Sequence, residues 1–503
     1  MEMRMHAIKQ EHTRNTGTLQ IPLDEDRNIS DIKPDARKII FYQGNVQLDE
    51  VKNGNNKIWV KGKLKFQILY QTDQSEPSLE GMQGEIPFME EMNVGFEETD
   101  QLCVTGKVDS LKIHIINSRK FSIQSILSLE ARVYIQKEVQ LCNGTQEKSG
   151  LELLMKEVPY LESVITKKDV YRIHEEQTLP GEFDQMEALL WSSMQLKNMT
   201  YRPLNDKIGI SGEMALFLVM REEESQQERF YETTIPVSGI LDCIGCKENM
   251  ILRIEENIQD LEIQLREKTI HAEFALDMCL RLFENRRKEA LQDMYGTQFE
   301  VALETQKDTL IALREEGKIE ERMQETIHLD GEKPFAVLHF EPRISWTKLE
   351  KNQKGCTISG EMSYVLLYQD AIGYDLKEGA FPFQIKKDLI LEEEDVLEHT
   401  CQIVAQSISL QEQEIRCSFT LRADYLLTRN LQLELIRNAT ISPFQKETLQ
   451  TIPGIGVYYV SNQDTLWKIG KEYHIGVDKI REINELTKEE VTKGDVLIIA
   501  QAK

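Results

Sequence analysis

The sequence predicts a mainly β chain, made of three tandem β-sandwich-like modules followed by a small βααβ domain. Three observations lead to this prediction. A glycine-containing strand recurs three times along the 503 residues, and each copy ends in a long apolar alternation of period two, which is typical of half-buried strands. The last stretch of the chain has a helical apolar spacing instead.

The recurring strand contains a glycine and ends in an apolar run. Gly62, Gly212 and Gly360 stand in IWVKGKLKFQILY, IGISGEMALFLVM and CTISGEMSYVLLY, at intervals of 150 and 148 residues. A proline follows each glycine 25, 24 and 22 residues later, in EIPF, TIPV and AFPF. A glycine inside a strand indicates a β-bulge or the close approach of another backbone, and a contact site is the alternative interpretation.

A pair of strands is predicted to close each copy. The final alternations run from 121 to 135, from 270 to 282 and from 415 to 425. A shorter alternation and a polar turn come before each of them, as in a β-hairpin. Strands with one apolar face are buried most simply between two sheets, so we expect sandwich-like modules.

The repeats also suggest where one module ends and the next begins. We expect module 1 at 1–149, a connector with module 2 at 150–305, and module 3 at 306–447. Helical or extended connectors are predicted between them, such as 150–169. Each module is large enough to bury a core of its own.

The terminal domain is predicted at 455–503. A strand begins near Tyr458, and the Asp464 carboxylate is predicted to cap a helix over 466–473. Gly476 opens a second helix, and KGDVLII returns as a strand. Leu466, Ile469 and Ile480 are expected to form its core, whereas Trp467 is either core or an anchor for a partner.

Composition and motifs argue against several functions. The net charge is -25, with 85 acidic against 60 basic residues, and no long basic run offers a site for nucleic acid or an anionic membrane. The N-terminus has no apolar segment typical of a secretory signal, and no run is long enough for a membrane span, so we expect the chain to stay where it is made.

No catalytic, cofactor or metal site is predicted. The nine histidines show no ligand spacing, and nucleotide-binding and hydrolase motifs are missing. Eight scattered cysteines are typical of a reducing compartment. Cys243 and Cys246 form a lone CxxC without further ligands, and we interpret them as incidental thiols near a strand end.

The three repeats resemble the SPOCS domains of spore-coat and spore-envelope proteins. The features that carry this resemblance are an "LP" before the first strands, the glycine-containing strand and the later "PF". The third copy, SGEMSYVLLY with FPF, matches best. Met220, Val237 and Lys63 depart from the pattern in the other two.

The terminal domain resembles the LysM module. DTLWKI, Tyr473, Asn484, Leu486 and Gly494 fall at that family's spacing. In the family, two loop–helix junctions form a groove for N-acetylglucosamine-containing glycans. Three positions here differ: Gln463 replaces the usual glycine, Gly470 an alanine and Ala500 a proline. The resemblance places a partner-binding groove at the following residues: Gln463, Asp464, Thr465, Trp467 and Asn484.

The combination of domains resembles the coat-morphogenesis adaptors of spore-forming bacteria. That resemblance implies a non-enzymatic scaffold in the mother-cell cytoplasm, recruited to the forespore surface. It implies that the LysM domain docks on a SpoIVA-like ATPase of the coat basement layer, with other coat proteins or self-association as further contacts. The alternative is a peptidoglycan-binding protein of the spore envelope, and a third interpretation is a LysM domain kept only as a folded end cap.

Overall fold

The structure of the chain is a computed structural model. It describes residues 1–500 apart from 55–56, 75, 77, 96, 98–99, 147–148, 223, 330–333, 353–354, 412–413, 445–453 and 489. In the third repeat, ETIHLDG (325–331) stands where the other copies have the "LP" segment, and its last two residues lie outside the described residues. So does most of the segment that joins this repeat to the terminal domain. The predicted fold class is confirmed, because 78% of the chain is strand and 4% is helical.

Eighteen strands fall into three sets of six that share one topology. The first set is β1 (Met3–Asn28), β2 (Ala36–Gly54), β3 (Lys57–Thr72), β4 (Leu79–Met92), β5 (Gln101–Asn117) and β6 (Lys120–Thr145). The second is β7 (Leu151–Thr178), β8 (Met186–Leu204), β9 (Lys207–Glu222), β10 (Glu228–Asp242), β11 (Ile251–Arg266) and β12 (Thr269–Gly296), with a 3₁₀ turn at Gly181–Phe183. The third is β13 (Glu300–His328), β14 (Ala336–Asn352), β15 (Gly355–Gln369), β16 (Tyr374–Lys387), β17 (Asp395–Gln411) and β18 (Glu414–Ser442).

Each set forms two antiparallel three-stranded sheets. The first and last strands pair along their length and the fifth strand joins them, in the orders β1-β6-β5, β7-β12-β11 and β13-β18-β17. Strands two to four form the second sheet as a meander, with β3, β9 or β15 in the centre. The recurring proline lies on the outer strand of this small sheet, where its missing N–H breaks no ladder bond to a further strand.

The recurring glycines are explained by close backbone approach, as predicted. A Cβ on Gly62 would lie 2.5 Å from the carbonyl oxygen of Gln47, and one on Gly360 would lie 2.6 Å from that of Trp346. One on Gly212 would lie 2.3 Å from the sulfur of Met199. A register shift of the neighbouring strand lies at or next to each glycine, so the bulge and the missing side chain occur together.

The predicted core positions are confirmed. In the closing strands the apolar alternation points inward, and its members at 121–133, 270–282 and 415–425 are buried, while Ile135 is partly buried. Each core lies between the two sheets of its own set. Period two therefore placed these side chains correctly from the sequence alone.

One expectation about the segments between repeats was wrong. The stretch predicted as a connector at 150–169 is strand from residue 151 onward, because β7 runs through it and pairs with β12. The chain likewise continues as paired strand through most of 285–325, in β12 and β13. The long first strand of each set was missed, since only part of it faces its own core. The proposed module boundaries stay a prediction about folding units.

The outer faces of the small sheets share a core. Phe41 of β2, Trp191 of β8 and Leu367 of β15 are all buried in one cluster, and the Phe41 and Trp191 rings lie 4.6 Å apart. The long first strands meet likewise, through Ile8 and Leu310 among others. The three sets therefore bury apolar surface against one another as well as within themselves.

A buried ionic network joins the same three sets. Arg281 of β12 donates to Glu11 of β1 and to Glu398 of β17, each at 3.0 Å. Its guanidinium lies 4.1 Å from the ring centre of Tyr134. Burial raises the pKa of Glu11, although Arg281 opposes that shift. One arginine thus offsets carboxylates supplied by two other modules.

The cysteines behave in two ways. Cys243 and Cys246 are buried thiols in the turn after β10, and burial raises the pKa of both. Cys103 of β5 and Cys279 of β12 were also expected to be thiols, but the structure joins them in a disulfide between the first two sets, with Cα atoms 6.3 Å apart.

The terminal domain has the predicted βααβ order. Its elements are β19 (Ile455–Tyr459), α1 (Leu466–Tyr473), α2 (Val477–Ile483) and β20 (Val496–Ala500), and the two strands pair antiparallel. Leu466, Ile469 and Ile480 are buried, as predicted. Among the residues described, no helix is both long and apolar enough to cross a membrane.

Candidate partner-binding site

The first groove loop is held by Asp464, but this residue does not cap the helix. Its carboxylate accepts the Ser461 N–H at 2.7 Å and the Tyr458 hydroxyl at 2.9 Å. These hydrogen bonds lower the pKa of Asp464 and raise that of Tyr458 to about 12. The cap is Thr465, whose Oγ1 accepts from the Lys468 N–H at 3.2 Å. The predicted cap is therefore off by one residue, because Asp464 is used to close the loop.

Gln463 occupies a left-handed backbone position. Its φ is +71° and its side chain is exposed. The conformation favours glycine, since a Cβ is strained in this region. This explains physically why glycine is usual here in the family. The glutamine side chain is exposed in the loop that precedes α1.

Asn484, at the second groove loop, has a structural role. Its amide donates to the carbonyl oxygens of Ile480 and Ile498, and its Oδ1 accepts the Ile498 N–H at 2.6 Å. The side chain thereby ties the end of α2 to β20. Three of its polar contacts are used within the domain.

Trp467 faces module 2. Its indole N–H donates to Asp293 of β12 at 2.9 Å, and its ring meets that of Tyr295 edge to face at 4.9 Å. Lys471, one turn further along α1, contacts both oxygens of Asp293 at 2.6 and 2.8 Å. The side chain that was predicted as core or as a partner anchor therefore contacts another part of the same chain.

Gly470 allows α1 to pack closely against Tyr295. The Tyr295 hydroxyl donates to the Ile475 carbonyl oxygen at 2.8 Å, directly beside Gly470. A Cβ at Gly470 would lie only 2.4 Å from that hydroxyl oxygen. The family's usual alanine would collide with Tyr295, so the substitution noted in the sequence matches the docking of this domain against β12. His474 adds a contact, with Nδ1 2.9 Å from the Gly296 carbonyl oxygen.

The outer face of the β19–β20 sheet is apolar and exposed. Its members alternate with partly buried residues in β19 and with buried residues in β20, and they are Ile455, Val457, Tyr459, Val496 and Ile498. Ile455 is 79% and Tyr459 71% exposed. Sequence reasoning missed this face, although the run IGVYYV carries apolar residues on both sides of a strand that needs only one for its core. Contiguous exposed apolar patches mark interaction surfaces.

The structure does not gather the five predicted groove residues into one exposed surface. Gln463 and Thr465 are exposed, whereas the side chains of Asp464, Trp467 and Asn484 form the intramolecular bonds described above. The prediction that this set contacts a partner stays a prediction.

Comparison with protein families identifies the domains. The model described as "SipL, SPOCS domain" matches residues 35–116 and 185–266, and the model for the LysM domain matches 458–500. Both SPOCS matches begin close to the start of the second strand of a set and end close to the end of the fifth. Searches of curated proteins and of solved structures found no match.

The matched domains indicate the class of protein: a sporulation-related chain that carries non-catalytic binding domains. The combination of SPOCS domains with a C-terminal LysM domain matches a SipL-like spore-coat protein, as the sequence indicated. The third set of strands has the topology of the two matched copies, although the family model does not match it.

Proposed function

We propose that this protein is a non-enzymatic adaptor of spore-coat assembly, which acts in the mother-cell cytoplasm at the forespore surface. Its LysM domain docks on a SpoIVA-like coat ATPase, and the SPOCS modules form a rigid body that other coat proteins or a second copy contact. The domain combination supports the spore-coat role. The observation that carries the docking role is the exposed apolar face of the β19–β20 sheet.

The physical argument rests on what this face is suited to bind. Ile455, Val457 and Ile498 are aliphatic and lie on the same two-stranded sheet as one exposed aromatic ring, Tyr459. Protein interfaces bury such apolar centres with aromatic residues among them. Glycans offer hydroxyl groups, which this face could not satisfy with hydrogen bonds from aliphatic side chains.

The proposal also includes the groove residues predicted from the sequence. Gln463 and Thr465 are the exposed members of that set, so we propose them as polar contacts at the edge of the interface. Trp467 would contribute indirectly, because it holds the domain on Asp293 and thereby fixes its orientation.

Capture of the purified ATPase by the full chain tests the proposal. Val457→Glu places a charge in the middle of the apolar face, where desolvation would be costly, and we expect binding to weaken at least tenfold. Val457 is 60% exposed, so folding should persist and is checked by circular dichroism. Val457→Thr is a conservative variant that keeps the branched shape of the side chain. Glu472→Ala is the control, because Glu472 lies on the exposed side of α1, and this variant should bind as the wild type does.

Undiminished capture by a folded Val457→Glu protein would exclude this face as the binding site for the ATPase.

Peptidoglycan binding is a second candidate, favoured by the family to which the LysM domain belongs. Sedimentation with purified peptidoglycan separates the two. Tight binding to glycan together with no capture of the ATPase would replace the adaptor proposal by the envelope one.

A further inference from the structure

Four polar side chains form a square on the β7–β12 ladder of module 2. His174 lies directly opposite Glu273, and Glu176 lies opposite His271. Residues two apart on a strand point to the same face, so all four stand together. Ile173 and Ala272, which alternate with them, are buried in the core. The square therefore faces solvent, on the side of the sheet away from the core.

The distances in the square suit a metal ion. The Glu176 Oε1 atom is 3.1 Å from Nε2 of His174 and 3.1 Å from Nδ1 of His271. These three ligand atoms all lie within 4.8 Å of one another. Ligands of a tetrahedral Zn²⁺ stand about 2.0–2.2 Å from the ion, which spaces them roughly 3.4 Å apart. Small side-chain rotations would bring the set to that geometry.

Glu273 contacts the ring nitrogen of His174 that does not face Glu176. Its Oε1 atom lies 2.8 Å from Nδ1 of His174. A carboxylate in this position holds the proton on Nδ1 and leaves Nε2, which faces Glu176, as the ligand atom. Histidines that bind zinc are commonly oriented by such a carboxylate.

We propose that module 2 binds one divalent cation of the zinc class at this square. His174 Nε2, His271 Nδ1 and a Glu176 oxygen are the ligands, Glu273 orients His174, and water occupies the fourth position. Two imidazoles and one carboxylate form a ligand set that suits Zn²⁺ better than Ca²⁺ or Mg²⁺, which take oxygen ligands. The ion would clamp β7 to β12 near the end of their ladder.

The repeats supply an internal comparison. Counting back from the last pair of each long ladder gives the positions that correspond to the square. They are Asp24, Asp26, Ser122 and Gln124 in module 1, and Gln324, Thr326, Arg416 and Ser418 in module 3. Neither set contains a histidine, and an arginine takes the place of His271 in module 3. The ligand set is thus a feature of module 2 and not of the shared fold.

Zinc titration of the untagged full chain by calorimetry tests the proposal. We expect one site at micromolar or lower Zn²⁺, and at least a tenfold loss of affinity in His174→Ala and in His271→Ala. Glu273→Gln should lower the affinity about 10–100-fold, as for other carboxylates that orient a ligand histidine. His328→Ala is the matched control, because His328 is an exposed imidazole paired with Glu414 on the corresponding ladder of module 3.

Cobalt distinguishes this square from the CxxC thiols. Co²⁺ bound at the square should show visible d–d bands without thiolate charge transfer, and the bands should vanish in His174→Ala. The altered side chains lie on the solvent face, and circular dichroism checks that the variants fold. No Zn²⁺ binding at micromolar concentration, or binding that survives both histidine substitutions, would overturn the proposal.

Discussion

Gly470→Ala should loosen the LysM domain from module 2 without unfolding it. The new Cβ would lie 2.4 Å from the Tyr295 hydroxyl oxygen and 2.8 Å from the Ile475 carbonyl oxygen. Tyr295 is 2% exposed and has no room to retreat without breaking its hydrogen bond to Ile475. The substitution therefore acts on the contact between α1 and Tyr295, and the Ile475 carbonyl within the LysM domain must also shift slightly.

The magnitude follows from the contacts at stake. Overpacking costs about 1–3 kcal/mol. The Tyr295 hydrogen bond contributes about 0.5–1.5 kcal/mol, and the edge-to-face pair with Trp467 a similar amount. The exposed Lys471–Asp293 pair adds at most about 1 kcal/mol. Alanine gains about 0.8–1.0 kcal/mol in helix propensity, so the LysM fold itself should survive. We expect docking to weaken by about 1–3 kcal/mol.

Hydrogen exchange read by mass spectrometry is the assay. Peptides covering 291–296 of β12 and 466–476, which contains α1 and the loop after it, should exchange faster, while the rest of β12 stays protected. Glu472→Ala, which changes an exposed residue of the same helix, is the control. The double variant Gly470→Ala with Tyr295→Phe removes the colliding oxygen and should recover part of the protection. Unchanged exchange in a folded Gly470→Ala protein would refute this account of Gly470.

Four further predictions concern other residues. Gln463→Gly should raise the melting temperature, because it relieves a left-handed backbone that costs about 1 kcal/mol; an unchanged or lower value would contradict this. Thr465→Ala should destabilise the LysM domain by about 0.5–2 kcal/mol in chemical denaturation. Arg281→Ala should cost about 3–5 kcal/mol, since it leaves Glu11 buried without its ionic partner, and a smaller loss would mean that the network contributes little. Arg343 and the ring of His339 override the effect of burial and lower the pKa of Glu341 to about 2. The ionised Glu341 carboxylate should therefore contribute its full stabilisation above about pH 4.5, and this stabilisation should be lost as the pH falls through about 2. Glu341→Gln should remove this part of the dependence of stability on pH.

Local patterns in the sequence determined the interior of each repeat. Alternation of period two fixes which residues of a strand share a face, whatever the strand pairs with, and so the closing strands were placed correctly. The recurring glycines predicted that another backbone approaches the strand closely, and the carbonyl groups of Gln47 and Trp346 lie at those positions. The terminal domain was recognisable because a helical spacing and its loop residues lie within a short segment.

The strands that open each repeat show where such reasoning stops. In β1, β7 and β13 only one half faces its own core, and the other half packs against neighbouring modules. Their alternation is therefore mixed with charged residues, and 150–169 was interpreted as a connector. Nothing within a single repeat indicates that its outer face will be covered by another.

The tertiary structure alone decided which distant residues meet. Trp191 lies among side chains from all three modules, Arg281 joins carboxylates of two others, and Gly470 receives Tyr295 from 175 residues earlier in the chain. The four residues of the square are likewise brought together by the register of β7 on β12. The physical reason is common to all of them: a sequence fixes the direction of each side chain along its own strand, but the partner across a ladder or an interface depends on how the whole chain packs.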